Sequence, residues 1–248
     1  MHLEKQKVVQ FGLVQKKDEL IMRIIDVLKS DFVNEINNEY GSKEANSVLN
    51  EEVTNDLAHS LQLRPGDSFS FYSLPLYVVT RIVKPSIVIE TGVQNGGSTQ
   101  TILAALNQNK KGTLHSIDSG DISTDGTHKS TSNGLPGQNV SNHLRDRWKL
   151  HIGFTFDVFP KLLPEIDLID LFFHDSDHSK ENVEYEFNAI KTHLNKNGLV
   201  GLHDHYGQWD HETILPANEY KFCIGKDRPA THSLNGEYHN VLRLWKKI

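Results

Sequence analysis

The chain has 248 residues, 37% hydrophobic and 23% charged, with a formal net charge of −6. This length holds one α/β domain plus a small accessory segment. The acidic balance excludes a global electrostatic footprint for nucleic acid or anionic membrane, and no apolar run approaches the ~18 residues of a membrane span.

The opening MHLEKQKVVQ lacks the basic-then-apolar plan of a signal peptide, and the single cysteine, Cys223, cannot form an internal disulfide, so a cytoplasmic location is expected. From Lys16 to Glu39, Leu20, Ile21, Ile24, Ile25, Leu28, Phe32 and Ile36 fall at helical spacing, and Gly41 ends the run. A weaker helical pattern covers Ala45–Leu61, and Pro65-Gly66-Asp67 makes a turn. Pro75 suits the first turn of a helix through Val83, with Ser73 as its cap. Residues 1–80 therefore read as an all-helical segment expected to cover the site or to join copies into a homo-oligomer. Residues 81–248 read as the domain that carries the chemistry.

That domain is organised around Pro85–Leu106. Ile87, Val88 and Ile89 form a β-rich run that closes on Glu90; a turn with Gly92, Gly96 and Gly97 follows, then a helix with Ile102, Leu103 and Leu106 on one side. Strand, glycine turn and helix open a nucleotide site in α/β sheets, because the backbone can approach a ligand where there is no Cβ. Helix-start amides near Ser98 can receive an anion such as a carboxylate. Thr113–Ile117 is a second strand that closes on Asp118, an acid placed to accept from a ribose. The spacing fits a dinucleotide enzyme or a methyl-donor enzyme. The turn reads E-T-G-V-Q-N-G rather than G-x-G-x-x-G, with no phosphate-loop lysine, and an acid before the first glycine suits a ligand bearing an ammonium.

Residues 119–146 are polar and nearly core-free, a substrate lid or simply disorder. Trp148–Ile152 reads as a third strand, Gly153–Asp167 as a turn into a short helix, and Ile169–His174 as a buried fourth strand. Ser179 caps a helix whose apolar face carries Val183, Phe187, Ile190 and Leu194; Asn197-Gly198 stops it, and Leu199–His203 is a fifth strand. Tyr220–Ile224 and Asn240–Lys246 fit an antiparallel C-terminal hairpin. Such alternation implies a doubly wound sheet that binds ligands beyond the carboxyl ends of its strands. Trp148 and Trp245 read as core, Cys223 as a small buried hydrophobe, and Trp209 as the aromatic to test against a substrate.

The chain has 14 histidines, and two clusters of Asp and His follow adjacent strands: His174-Asp175-Ser176-Asp177-His178 and His203-Asp204-His205. They can hold a divalent cation that lowers the pKa of a substrate hydroxyl, with a neutral imidazole as proton acceptor. The alternative is that they cap helices and satisfy buried backbone.

At Glu90, Gly92 and Gly96 the chain resembles the class I S-adenosylmethionine (SAM)-dependent methyltransferases, whose first motif is acid-x-Gly-x-Gly-x-Gly; Gln94 stands at the middle glycine. GFTFDVFPKL, FFHDSDHS and NGLVGLHDH look like the metal-using small-molecule O-methyltransferases, of the catechol and antibiotic-tailoring sugar types. The resemblance covers roughly Pro85–Tyr206. It implies a doubly wound, mostly parallel seven-stranded Rossmann-like sheet, to which the chain's own pattern adds a C-terminal antiparallel hairpin and an N-terminal helical segment. It implies SAM as cofactor: Glu90, Thr91 and Gly92 at its methionine end, Gly96 and Ser98 at the helix start near its carboxylate, Asp118 on the ribose, and Phe154 and Thr155 against the adenine. Asp175 would be a metal ligand and His178 the general base. His203 with Asp204, or Asp204 with His205, would complete the ligand set, and a histidine stands where the family has an acid or an amide. The expected activity is O-methylation of a small hydroxylated molecule, a sugar or natural-product precursor. The rivals are a metal-dependent hydrolase using the same clusters and a non-catalytic binding protein on this fold.

Overall fold

The computed structural model describes residues 31–49, 73–120, 135–203, 211–224, 232–234, 237–239 and 242–248. Seven strands form one sheet: β1 (Ile87–Thr91), β2 (Thr113–Asp118), β3 (Trp148–Ile152), β4 (Ile169–His174), β5 (Leu194–Leu202), β6 (Tyr220–Ile224) and β9 (Arg243–Lys247), in the order β3-β2-β1-β4-β5-β9-β6. The first five strands run parallel, while β9 lies antiparallel to both β5 and β6. The predicted C-terminal pair therefore forms, with β9 inserted between β5 and β6. A separate ribbon, β7 (His232–Leu234) with β8 (Glu237–His239), intervenes in sequence. From β1 the chain steps outward through β2 to β3, then returns to lay β4 on the other side of β1. The strand order reverses there, and in open α/β sheets a ligand crevice opens at such a point.

The helices are α1 (Asp31–Tyr40), α2 (Ser42–Leu49), α3 (Ser73–Val83), α4 (Gly97–Asn109), α5 (Thr155–Leu162), α6 (Lys180–Ile190) and α7 (His211–Ile214). Successive strand residues face opposite sides of a sheet. Val88, Leu114, Leu171 and Phe173 meet α3 and α4 on one face, while Ile89, Ile117, Phe172 and Val200 meet α5 and α6 on the other. The central strands are buried on both faces, which is why they read as continuous apolar runs. Helix α4 is buried along its whole length from Ser98 to Leu106, because α3 covers the side turned away from the sheet. Ile36 of α1 joins the same apolar cluster, and Glu39 accepts from Lys221 at 2.6 Å and Lys246 at 2.9 Å, tying α1 to β6 and β9. Among the described residues no helix is long and apolar enough to cross a membrane.

Gly41 ends α1 as expected, its N–H on the Asn37 carbonyl at 3.0 Å, and Ser179 caps α6 by accepting the Asn182 N–H at 3.3 Å. Two boundaries differ from the sequence pattern. Ser73 is the first residue of α3 rather than its cap, and Leu194 opens β5 instead of closing α6. Helix α6 stops at Ile190, and Asn197, at φ 64°, turns the chain in the left-handed region inside β5 before Gly198.

The edge strand β3 is held to β2 partly by two imidazoles. His115 Nδ1 and His151 Nε2 lie 3.2 Å apart with the rings stacked at 5.4 Å and 6°. One proton serves that bond, so the pair is content when neutral. Burial, then His151 and Lys149, pushes His115 down to about 4. The unfolded chain thus takes up a proton near pH 6.5 that the folded chain refuses, so this contribution is present above pH 6.5 and is lost as pH falls toward 4. Urea midpoints at pH 7.5 and 5.0 are expected to fall further in the wild type than in His115→Gln. An identical fall in both would contradict this.

Candidate functional site

The site is built from the tips of β1, β2, β4 and β5. Register places Glu90 beside Ser116, and both face α4. The Glu90 carboxylate is fully buried and accepts hydroxyl hydrogen bonds from Ser98 at 2.5 Å, Thr99 at 2.7 Å and Ser116 at 2.6 Å. Burial pushes its carboxyl up to about 7, the three hydroxyls pull the other way, and the Asp175 charge adds to the rise. Asp118, at the tip of β2, reaches over the turn. Its Oδ2 accepts the N–H groups of Val93 at 2.8 Å and Gln94 at 2.9 Å, and its Oδ1 that of Gly120 at 2.8 Å.

The turn glycines are demanded by the protein itself. At Gly92, φ 83°, an added Cβ would lie 2.6 Å from the carbonyl carbon of Asp175, because β1 and β4 converge there. At Gly96, φ 95°, it would lie 2.7 Å from Val140 Cγ2.

The tips of β4 and β5 carry the second half. His203 Nδ1 donates to Asp175 Oδ1 at 2.6 Å. His178 Nε2 donates to the His203 carbonyl at 2.9 Å; since a carbonyl only accepts, neutral His178 carries its lone pair on Nδ1. The 178 ring stands edge-on to His174 at 5.1 Å. Beneath them lies Glu186, fully buried: Oε2 accepts from Thr91 Oγ1 and His174 Nδ1, both at 2.8 Å, and Oε1 from Ser176 at 2.9 Å and Asn182 at 3.1 Å. Among the described residues, the buried His174 Nε2 has no hydrogen-bond partner.

The structure thus gathers Glu90, Gly92, Gly96, Ser98 and Asp118 around one turn, and Asp175, His178 and His203 around the neighbouring tips. Thr91 points its side chain to the opposite face, into the Glu186 network. Phe154 precedes α5 and stacks on Phe156 at 5.1 Å and 9°, beside the half-exposed Ile152. Thr155 is buried, its hydroxyl 3.5 Å from Asn182 Oδ1. Asp204, His205 and Trp209 lie outside the described residues.

Several functional neighbours escape sequence reasoning. Ser116 and Thr99 are visible only once the register of β1 and β2 is known. Glu186 had a signal, since it sits three residues after Val183 within the apolar stripe of α6, where a charged residue is out of place.

The donors present decide which groups the site can hold. For SAM, α4 begins without a side-chain cap, so its first-turn amides can receive a carboxylate. Asp118 Oδ1 keeps one acceptor position for a hydroxyl. The apolar surface of Ile152, Phe154 and Phe156 at the β3 tip suits a purine. These residues fit. For a metal, Asp175 and His203 already hold each other. Among the described residues no group of three or more His, Cys, Asp or Glu side chains is arranged around a cation. Those donors alone do not make a metal centre.

Comparison with known proteins agrees with this geometry. Residues 89–205 match the family model described as a methyltransferase domain. Comparison with curated proteins found no match. Among solved structures, the chain is similar to an O-methyltransferase from Bacillus cereus in complex with S-adenosylhomocysteine (SAH): 17% identity, TM-score 0.50, covering 83% of this chain and 96% of that one. It is similar to TomG from Streptomyces achromogenes, an O-methyltransferase involved in tomaymycin synthesis and solved with SAM: 15% identity, TM-score 0.52, covering 85% and 97%. It is also similar to CalS11, a TDP-rhamnose 3'-O-methyltransferase in calicheamicin biosynthesis: 15% identity, TM-score 0.51, covering 84% and 94%. The chain has the class I methyltransferase fold.

Gly92→Ala is expected to destabilise the protein by about 3 kcal/mol or more, because both the clash and the positive φ penalise a Cβ there. A thermal midpoint within two or three degrees of wild type, in roughly a range that reflects less than 1 kcal/mol, would contradict the packing of β1 on β4.

Proposed function

We propose that this chain is a SAM-dependent O-methyltransferase acting on a hydroxyl of a small molecule. One observation carries the reading. Asp118 folds onto the glycine turn of β1 while keeping an acceptor position for a ribose, next to the uncapped start of α4.

When bound, the cofactor supplies a methyl group on a cationic sulfur. The residues bind and orient. The α4 amides around Ser98 receive the carboxylate, and Glu90, through Ser98 and Thr99, fixes where those amides stand. The backbone from Glu90 through Gly92 lines the methionine end, Thr91 contributing main chain because its hydroxyl is engaged elsewhere. Asp118 holds the ribose, and Phe154 and Thr155 border the adenine. The acceptor hydroxyl lies over the tips of β4 and β5. His178 Nδ1 takes its proton as the oxygen gains the methyl group, while Nε2–H stays on the His203 carbonyl and keeps the ring oriented. Much of the rate then comes from alignment of the hydroxyl with the methyl group. A divalent cation belongs to the proposal only through Asp175 and His203 together with Asp204 and His205, and no step above runs through it. That TomG is involved in tomaymycin synthesis and CalS11 methylates a nucleotide sugar supports a sugar or natural-product precursor as acceptor.

Isothermal titration with SAH is expected to give one site per chain, and Asp118→Ala to weaken it about tenfold, or about 1.4 kcal/mol. No binding, or preference for NAD, would remove the reading. On a panel of hydroxylated sugars scored by the mass of one added methyl, His178→Ala is expected to lower kcat about 100-fold or more with SAH affinity unchanged. A kcat within threefold of wild type would remove His178 as the base.

A further inference from the structure

Trp148 opens β3, where an indole ordinarily serves packing alone. Here it packs against the apolar cluster under α4 and has polar partners as well. Nε1–H donates to Ser116 Oγ at 2.9 Å, and the Ser116 hydroxyl donates to Glu90 Oε2 at 2.6 Å, so two hydrogen bonds join the indole to the buried acid beneath the glycine turn. The Arg145 guanidinium lies over the ring, 5.1 Å from its centroid. Gly137 packs so closely that a Cβ there would stand 2.9 Å from Trp148 Cζ2.

Arg145 also donates to the carbonyls of Gly137 at 2.8 Å and Val140 at 3.1 Å, drawing residues 137–145 into a strap. The strap is fastened to the outside of the turn. Gly137 N–H reaches the Gln94 carbonyl at 2.8 Å, Asn139 N–H the Asn95 carbonyl at 3.1 Å, and Ser141 N–H the Gln100 Oε1 at 2.9 Å. One indole therefore meets the glycine turn from both sides, through Glu90 within and through the strap without.

We propose that Trp148 is a positioning residue for the cofactor turn. Through Ser116 and Glu90 it sets where Ser98 and Thr99 stand at the start of α4, and through Gly137 and Arg145 it holds the strap against Gln94 and Asn95. The proposal rests on the SAM reading of that turn. Its physical basis is the directionality of the hydroxyl. With the indole N–H on its oxygen, Ser116 is steered to give its own proton to Glu90. Without it the hydroxyl can turn away, and a buried carboxylate that loses a donor suffers more than the net worth of one bond.

Trp148→Phe keeps an aromatic ring at the start of β3 and removes the N–H. Its SAH affinity is expected to weaken about fivefold to tenfold at unchanged stoichiometry. Ser116→Ala should match it, and the double variant should be no weaker than Ser116→Ala alone. Trp245→Phe, a buried indole on β9, is the control and should stay within twofold of wild type. Without ligand, amide hydrogen exchange at residues 97–101 should quicken in Trp148→Phe and not in Trp245→Phe. Unchanged SAH affinity in Trp148→Phe, additive losses in the double variant, an equal loss in Trp245→Phe, or unchanged exchange at 97–101 each overturns the proposal. If wild-type protein binds no SAH, the cofactor reading falls instead, and the exchange measurement alone decides the role of Trp148.

Discussion

A carboxylate with no exposure to water, Glu90, holds Ser98, Thr99 and Ser116 by their hydroxyls, and the rest of the site is arranged around that contact. Burying an acid is costly unless its oxygens are satisfied, and three donors offset that cost only if α4 begins where it does and β2 keeps its register with β1. The same contact therefore fixes a helix start, a strand pair and the turn between them. Asp118 completes the arrangement from above by collecting the amides of Val93 and Gln94. Gln94 takes φ 50° at the position where the family motif has its middle glycine. The left-handed region costs a side-chain-bearing residue roughly 1 kcal/mol, which the Asp118 bond helps to offset.

Two carboxylates of one sequence motif thus play different parts. Glu90 works from beneath, through hydroxyls, and burial lifts its carboxyl to about 7. Asp118 works at the surface of the crevice, with an oxygen still able to accept. The β4 and β5 tips follow a similar division. Glu186 is sealed below with its donors, and Asp175, His178 and His203 stand above it. Buried polar networks of this kind hold a loop in one geometry because their hydrogen bonds reinforce one another.

Much of this was legible in the sequence. Apolar runs that end in acids located β1, β2 and β4, since a parallel strand buried on both faces has no alternation to lose and its polar residues mark its tip. Ser179 signalled the start of α6 and Gly41 the end of α1. What the sequence concealed depended on pairing across strands. The glycines were read for a ligand, and their second reason, that Asp175 and Val140 leave no room for a Cβ at Gly92 and Gly96, lies more than forty residues away in each case. Thr91 looked equivalent to Glu90 until strand alternation sent it to the other face. Trp148 read as core and packs there, but nothing local reveals that its N–H would meet Ser116. Residues 137–145 sit in a stretch that read as a lid or as disorder; packed on the turn, they form a strap fastened by backbone bonds to Gln94 and Asn95 and by side-chain bonds to Asn95 and Gln100, pairings that no local pattern reveals.

The central claim is that the tips of β1 and β2 grip one amino-acid-bearing nucleoside. A crystal structure of the protein with SAH tests it most directly. The expected result places a ribose hydroxyl within hydrogen-bond distance of Asp118 Oδ1 and the ligand carboxylate at the first amides of α4. SAH bound elsewhere, with Asp118 turned only toward its own backbone, would contradict it.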